Sequence, residues 1–372
     1  MSIATLDERI PEAAELSTPT VAASARRPLL LIEQTLGHRT HGTNLRAAAE
    51  TAPFRPRLAN VEFTARGRLP IPWAIRGSWR SLRLARRARR QTSIAFFHTQ
   101  TISLFAPFAR KPYVVSTDAT PLQLDTMAKW YEHDTSNPQA EWFKRQCYRQ
   151  VLRHARAVVS WSEWAAQSLV DDYGVSRDRI LVAHPGAPRS LFEIERGERR
   201  PGPIRILFVG GDFERKGGKH LLEAFAPLRD RAELVLMTEA AVPATDSVRT
   251  ERGIRPGMPR FRELWQEADI FCLPTLGDCT PLAIGEALAA GLPVVTTRVG
   301  SNEETIREGE TGLLVPVADP AALQVALAHL VDGHALREQM SIAARTDAQE
   351  RFDSEKNARR ILDLLGDLVP CR

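Results

Sequence analysis

Short apolar runs alternate with helical patterns along most of the chain, and they fall into two successive series. In the first series the runs predict buried parallel strands at 29–34, 58–64, 93–97, 112–116 and 157–160, and a strand running into a turn at 180–187. In the second series they predict strands at 204–209, 233–237, 269–273, 293–296 and 312–315. Because each strand leads into a loop or a helical pattern, the order predicts an α/β fold: two facing Rossmann-like domains with a cleft between them.

The domain boundaries follow from a polar segment rich in Gly and Pro at 193–203, which we interpret as the linker. The predicted domains are then 28–192 and 204–352. Residues 1–27 lack an apolar period and are expected to form a disordered arm. The last predicted helix, within 353–372, is long enough to return to the first domain.

Composition limits the compartment and the chemistry. The chain has 372 residues and a formal net charge of +5. No apolar run reaches the roughly 18 residues that span a bilayer, and no secretion signal pattern is visible. The four cysteines show no metal-ligand spacing, so we expect a cytoplasmic protein with no metal site. We also expect no cofactor.

A glycine-rich loop follows the first strand of the second series. It reads Gly210-Gly-Asp-Phe-Glu-Arg-Lys-Gly-Gly218 and precedes a predicted helix. Paired glycines allow a ligand to approach the backbone, and Arg215 and Lys216 add positive charge beside a helix N-terminus, where phosphate binds well. The alternative is a surface loop with two solvated basic residues. No Ser or Thr follows Lys216, so the loop is not a nucleoside-triphosphate P-loop.

An acidic loop and a short apolar helix occupy 274–291. We predict that Thr280 is the N-cap, that Pro281 takes the first helical position and that Gly291 ends the helix. The free amides at the helix start suit phosphate oxygens, while Asp278 and Glu286 can accept hydrogen bonds from sugar hydroxyls. The alternative is that Asp278 only precedes the cap and Glu286 pairs with a basic neighbour.

These motifs together resemble the GT-B glycosyltransferases of family 4, the glycosyl transferases group 1. The resemblance is carried by Phe208–Gly218, by Asp278-x7-Glu286, by Gly300–Val315 and by Pro185-Gly186-Ala187. It implies retaining, metal-independent transfer of a hexose from a UDP- or GDP-sugar to a glycan, lipid-linked or small-molecule acceptor. It also implies that the second domain holds the nucleotide-sugar donor and that the first holds the acceptor.

The resemblance assigns roles to single residues of the second domain. Glu286 corresponds to the acid that holds the ribose, Asp278 to the acid that contacts the donor sugar, and Lys216 to the base that neutralises the diphosphate. The family often has an arginine where this chain has Gly211, so either Arg215 supplies that charge or donor affinity is lower. The predicted donor-binding residues are Gly210, Gly211, Arg215, Lys216, Thr280, Pro281, Leu282 and Glu286.

In the first domain, Asp118 stands where many relatives carry a histidine in the cleft. We predict that it acts with Asp278 and Lys216 in catalysis; the alternative is that Asp118 caps a helix beginning at 121. Two further predictions concern strand-end loops. The first βα loop and the end of the third strand supply the residues predicted to line the acceptor side of the cleft: Gly37, His41, Gly42 and His98. For His98, a buried histidine with its hydrogen bonds satisfied is an equal alternative.

A cluster of positive charge lies in the first domain. No acidic residue occurs between Glu62 and Asp118, and five arginines there recur at helical spacing: Arg76, Arg80, Arg83, Arg87 and Arg90. This stripe predicts a surface for anionic lipid, peripheral at the inner face of a membrane. The alternative is a solvated helix face with Trp79 and Leu82 in the core. No aromatic residues alternate with the basic ones as in a nucleic-acid groove, so no nucleic acid is expected.

Two other functions remain open at this level. A non-hydrolysing nucleotide-sugar 2-epimerase would use the same fold. A non-catalytic nucleotide-sugar-binding subunit is suggested by the departure at Gly211.

Overall fold

The computed structural model describes residues 27–33, 38–63, 72–131, 136–196 and 202–369. Almost all of the predicted arm, Gly37 and part of the predicted linker lie outside these ranges. The predicted domain boundaries therefore stay predictions.

Twelve parallel strands in the described ranges form two six-stranded sheets. The first sheet has the order β2–β1–β3–β4–β5–β6 and the second has the order β12–β11–β10–β7–β8–β9. The strands are β1 Arg27–Glu33, β2 Arg57–Val61, β3 Thr92–Phe97, β4 Tyr113–Thr117, β5 Ala157–Ser160, β6 Ile180–Val182, β7 Ile204–Val209, β8 Ala232–Met237, β9 Val248–Glu251, β10 Ile270–Leu273, β11 Val294–Thr297 and β12 Gly312–Val315.

Helices cover the faces of both sheets. Among the described residues, every helix is too short or too polar to cross a bilayer. The helices are α1 Arg39–Thr51, α2 Trp73–Arg87, α3 Pro121–Thr126, α4 Ala128–Tyr131, α5 Pro138–His154, α6 Glu163–Asp171, α7 Arg189–Phe192, α8 Gly218–Phe225, α9 Pro259–Glu267, α10 Leu282–Ala289, α11 Asn302–Thr305, α12 Pro320–Asp332, α13 His334–Arg351 and α14 Ser354–Asp367.

The predicted α/β fold with two Rossmann-like sheets is confirmed. The sequence pattern missed β9, which reads Val-Arg-Thr-Glu and lies at the edge of the second sheet. Only Val248 of this strand is buried, so it carries no apolar run for a pattern to detect. Of the segment 180–187, predicted as a strand running into a turn, the strand occupies Ile180–Val182.

Both faces of the first sheet are buried, as parallel strands require. Along β1, Leu29 and Leu31 pack into the core on one face, while Leu30 and Ile32 pack into the core on the other. The second sheet has a single larger core, which includes the fully buried Trp265.

The predicted return of the last helix to the first domain is confirmed. Four apolar residues of α14 pack with Leu30 and Ile32 of β1. They are spaced as one helical face: Ala358, Ile361, Leu362 and Leu365. The chain therefore passes between the domains twice, and the two passages touch where the Ala187 amide donates to the Phe352 carbonyl at 2.7 Å.

Candidate functional site

The two candidate loops of the second domain lie at one point of its sheet. The strand order reverses between β7 and β10, and the loops that follow these strands are 210–217, here the glycine loop, and 274–281, here the acidic loop. In open α/β sheets the crevice at such a reversal binds ligands. The loops are joined by the Leu276 amide, which donates to the Arg215 carbonyl at 2.8 Å.

Two glycines with left-handed backbone allow neighbouring segments to pass close to the acidic loop, one in the glycine loop and one after β11. At Gly217 (φ +78°), an added Cβ would lie 1.9 Å from the Pro274 carbonyl oxygen. At Gly300 (φ +58°), it would lie 2.0 Å from the Asp278 carbonyl oxygen. No other residue fits either position without moving the backbone. Our sequence reasoning gave neither glycine this role, although a Gly-Gly pair at the start of a helix was a usable signal for Gly217.

Opposite charges from the two loops meet at the reversal. The Asp278 carboxylate forms a salt bridge with the Lys216 ammonium group, and its other oxygen lies 3.5 Å from the Arg215 guanidinium. Arg215 also contacts Asp212 at 3.2 Å and donates to the Gly277 carbonyl at 2.9 Å. Asp278 is only 7% exposed, so it needs these cations as partners.

The two glycines at the start of the glycine loop differ in their surroundings. An added Cβ at Gly210 would crowd Phe208 and Lys216 at about 3 Å, whereas at Gly211 it would meet no atom within 4 Å. Gly211 therefore has open space beside it. Arg215 reaches the acidic loop from the other end of the same loop, which is compatible with its replacing the missing charge; that role stays a prediction.

The start of α10 differs from the prediction. The helix begins at Leu282, and Pro281 is the N-cap residue, with extended backbone (φ −74°, ψ 107°). The prediction of Thr280 as N-cap is wrong: its hydroxyl instead accepts a hydrogen bond from Ser301 at 3.3 Å. The end of the helix is as predicted, since Gly291 follows it in the left-handed region (φ +69°).

Glu286 lies inside α10 and is 6% exposed. Burial raises the pKa of its carboxyl group to about 7. Within the described ranges its side chain has neither a hydrogen bond nor an ion pair, so the alternative of a basic partner is not realised there. A buried carboxyl group of this kind at a ligand crevice is a candidate acceptor for ligand hydroxyls.

The corresponding edge of the first sheet is lined by aromatic nitrogen heterocycles. His41 stacks on His98 with ring centroids 4.8 Å apart, and Trp161 meets His41 edge-on at 4.8 Å. His41 and His98 are at most 1% exposed, and burial lowers their pKa values, that of His41 to about 3. Both rings are therefore neutral.

The local structure around these histidines differs in part from the prediction. His41 and Gly42 were expected in a loop, but α1 begins at Arg39 and includes them. His98 directly follows β3, and its burial fits the alternative of an interior histidine. Contact of these two histidines with an acceptor stays a prediction, and the burial of both rings does not support it. Gly37 lies outside the described residues.

Asp118 follows β4 and is half-buried. The alternative that it caps a helix is wrong, because Thr120 caps α3 and shares a capping box with Gln123. Burial and then the nearby Asp118 carboxylate raise the pKa of the Cys279 thiol. The Asp118 carboxylate thus acts electrostatically on a residue of the acidic loop of the second domain.

Residues at the domain contact were missed by sequence reasoning. Tyr131 lies against Cys279 and Arg215, and His184 lies 3.3 Å from the position that a Cβ on Gly285 of α10 would take. His184 comes just after β6, so its strand-end position was a usable signal. Tyr131 lies in a short helix that had no pattern to mark it.

A metal site is not apparent in the described part of the chain, where no three His, Cys, Asp or Glu side chains cluster in a way that could hold an ion.

The arginine stripe lies on α2 with one correction. The helix ends at Arg87, so Arg90 lies in the turn beyond it. Arg80, Arg83 and Arg87 are exposed. Leu82 is buried, but Trp79 is 55% exposed, so the alternative that puts both in the core is wrong for Trp79.

Comparison with known proteins identifies the family. The model for Glycosyltransferase Family 4 matches residues 34–190, and the model for Glycosyl transferases group 1 matches residues 203–333. Similar curated proteins include the D-inositol 3-phosphate glycosyltransferases of Corynebacterium glutamicum, 29% identical over 64% of this chain and 63% of that protein, and of Corynebacterium efficiens, 31% identical over 56% of each. The matched part thus spans less than two thirds of these relatives.

Solved structures share the fold over nearly the whole chain. Sucrose-phosphate synthase from Thermosynechococcus elongatus has a TM-score of 0.71 at 18% identity, covering 92% of this chain and 99% of that one. Anabaena HepE in complex with UDP has a TM-score of 0.67 at 14% identity, covering 92% and 100%. One family model matches most of the part of the chain that forms the first sheet, and the other matches the part that forms the second sheet. Together with the shared folds, they show that the chain belongs to the family 4 glycosyltransferases, the glycosyl transferases group 1, and has the GT-B fold.

Proposed function

We propose that this protein is a retaining, metal-independent glycosyltransferase that moves a hexose from a UDP- or GDP-sugar to a glycan, lipid-linked or small-molecule acceptor. The observation that carries the proposal is the meeting of Lys216, Arg215 and Asp278 at the strand reversal of the second sheet, with Glu286 buried in α10, the helix that follows the acidic loop. Cations beside two helix starts suit a diphosphate, and buried carboxyl groups suit sugar hydroxyls.

The chemistry follows from where charge develops. When the bond between the donor sugar and the diphosphate breaks, negative charge grows on the leaving diphosphate and positive charge on the sugar ring. Lys216, Arg215 and the amide groups at the starts of α8 and α10 would stabilise the leaving group, a contribution that is often the largest in catalysis. Asp118 on one side and Asp278 on the other would face the sugar.

The salt bridge of Asp278 suggests an order of events when the donor binds. A bound diphosphate would compete with Asp278 for Lys216 and Arg215, since both of these contacts are between opposite charges. Asp278 would then be released to accept hydrogen bonds from donor-sugar hydroxyls. Glu286, further along α10, would take the ribose.

The comparisons support the donor class. Structures of Anabaena HepE in complex with UDP and with UDP-glucose share this fold. The curated relatives are named for an inositol phosphate acceptor, but the chain spans only part of them, so a small-molecule acceptor is one of three classes that we propose to test.

The exposed face of α2 supports a membrane-linked acceptor. Trp79 is exposed between arginines, and the Arg86 guanidinium holds the segment that carries the exposed Phe108 by donating to the Phe108 carbonyl at 3.3 Å. Aromatic side chains within a basic surface suit the boundary of an anionic bilayer. We propose a cytoplasmic protein that docks at the inner face of the membrane through this surface.

The test is transfer from labelled UDP- and GDP-hexoses to sugar, lipid-extract and polyol acceptors, with and without EDTA. We expect one donor to be consumed at an EDTA-independent rate, with product in the same anomeric configuration as the donor. Sugar interconversion without an acceptor would instead identify an epimerase. Donor binding with neither transfer nor hydrolysis would identify a non-catalytic subunit, and an inverted product would contradict the retaining mechanism.

A further inference from the structure

An aromatic pair from the first domain covers the acidic loop of the second. Trp130 and Tyr131 end α4. Trp130 is so close to Gly277 that an added Cβ there would lie 2.4 Å from its ring. The Cys279 thiol donates to the Tyr131 hydroxyl oxygen at 3.5 Å.

Tyr131 also contacts the candidate diphosphate site. Its ring centroid lies 5.5 Å from the Arg215 guanidinium carbon, within the range of a cation–π interaction. The other contacts of Arg215 include two carboxylates, Asp212 and Asp278. A bound diphosphate would compete with both carboxylates but not with the aromatic ring, because the ring makes no hydrogen bond to the guanidinium edge.

The domain contact that presents Tyr131 is fixed at a second place. The Glu304 carboxylate of the second domain accepts hydrogen bonds from the Glu163 amide at 2.9 Å and the Trp164 amide at 2.6 Å, the first two residues of α6 in the first domain. A carboxylate at a helix start satisfies amides that the helix itself leaves free. Trp164 and Tyr131 also pack with Cys279 in one apolar cluster between the domains.

We propose that Tyr131 is a positioning residue: its ring holds the Arg215 guanidinium toward the diphosphate, so the first domain completes the donor site of the second. The inference rests on the proposed function, because it requires a diphosphate at Arg215. It goes beyond that function by assigning a residue of the acceptor domain to donor binding.

The test measures affinity for UDP or GDP, whichever the unmodified protein binds, by titration calorimetry. Replacing the ring in Tyr131→Leu should weaken binding about fivefold, the scale of a partly buried cation–π contact. Tyr131→Phe keeps the ring over Arg215 and should bind within about twofold of the parent, since it removes the hydroxyl group and its contact with Cys279 but leaves the cation–π contact in place. Trp142→Leu, at an aromatic residue of α5 that is 63% exposed, is the matched control and should bind like the parent.

A double-mutant cycle separates positioning from a general structural effect. If Tyr131 acts through Arg215, then Tyr131→Leu should cause no further loss in an Arg215→Gln background. If the two substitutions instead reduce nucleotide affinity independently, so that the fold-losses of the single variants multiply in the double variant, the inference is overturned. Parental or tighter binding by Tyr131→Leu would also overturn it. If Tyr131→Leu does not fold, Tyr131→Gln is used for the same comparison. No binding of UDP or GDP by the parent would remove the proposed function and this inference together, whereas parental binding with an unaffected variant would remove this inference alone.

Discussion

The carboxyl edge of the second sheet gathers charged side chains, whereas the same edge of the first sheet buries neutral imidazoles. In the second domain Lys216 and Arg215 pair with Asp278. In the first, His41 stacks on His98, and burial keeps both rings uncharged. The strand orders of both sheets reverse at these edges, so the difference lies in the loops and not in the topology.

The contrast shows that two sheets with the same kind of strand reversal carry different chemistry at their strand ends. A diphosphate needs fixed positive charge and free amides, which the glycine loop and two helix starts supply. At the carboxyl edge of the first sheet, the neutral His41–His98 pair supplies no comparable cation. This edge is therefore better suited to uncharged ligand groups than to a diphosphate. Function on such folds is set by the residues at the strand ends.

The strongest test of the charged edge is Lys216→Ala. Because Lys216 is proposed to stabilise the leaving diphosphate, turnover should fall on the order of a hundredfold or more, and nucleotide affinity should fall less. Steady-state transfer rates and calorimetric affinities measure the two effects. Lys219→Ala removes an exposed lysine of α8 and should keep parental turnover; equal losses in both variants would contradict the assignment.

The neutral edge can be tested through acid stability. Burial lowers the pKa of His41 from its usual 6.5 to about 3 in the folded protein, so between these two pH values the unfolded chain binds a proton that the folded protein does not. Stability should therefore fall as the pH drops below 6.5, by about 2 kcal/mol at pH 5 relative to pH 8 from this group alone. Denaturant unfolding of His41→Phe should lack that part of the loss. The exposed His334→Gln serves as control, and an unchanged acid slope in His41→Phe would show that the ring is not held neutral.

The sequence predicted the sheets, the returning helix and the two loops of the second domain because each depends on local signals: apolar runs, paired glycines and an acidic segment. It did not predict that Asp278 pairs with Lys216, since residues 62 positions apart meet only through the sheet order. Tyr131 and His184 were missed for the same reason. Thr280 was misassigned as a cap because its hydroxyl has a tertiary partner, Ser301, that competes with the local one.

A smaller effect is expected for Glu286→Gln. Burial raises the pKa of its carboxyl group from the usual 4.5 to about 7, and a ribose hydroxyl would bind the ionised form better. Nucleotide affinity of the parent should rise between pH 6 and 8, and the variant should be flat and about tenfold weaker at pH 8. Folding stability runs the other way, because this group's contribution is complete below 4.5 and is lost as the pH rises through 7. Glu223 is exposed on α8, so Glu223→Gln is the control. A nucleotide affinity of the parent protein that does not change with pH would contradict the assignment of Glu286 to the ribose.

The smallest expected effect concerns α2. Each arginine at an anionic bilayer contributes about 1 kcal/mol, so Arg83→Gln should weaken binding to phosphatidylserine vesicles about fivefold. Flotation with anionic and with neutral vesicles measures this. Arg255→Gln, an exposed arginine of the second domain, should float like the parent; equal flotation with both lipids would remove the membrane proposal and leave α2 as a solvated face.

The most direct test compares UDP and GDP with uridine and guanosine in a thermal-unfolding assay of the parent and of Lys216→Ala. A ligand that binds only the folded state raises the melting temperature. The account predicts that one nucleoside diphosphate raises it clearly, that the matching nucleoside does so much less, and that the difference largely disappears in Lys216→Ala. An equal shift from nucleoside and diphosphate, or no shift from either diphosphate, would contradict the claim that the charged edge of the second sheet binds a diphosphate.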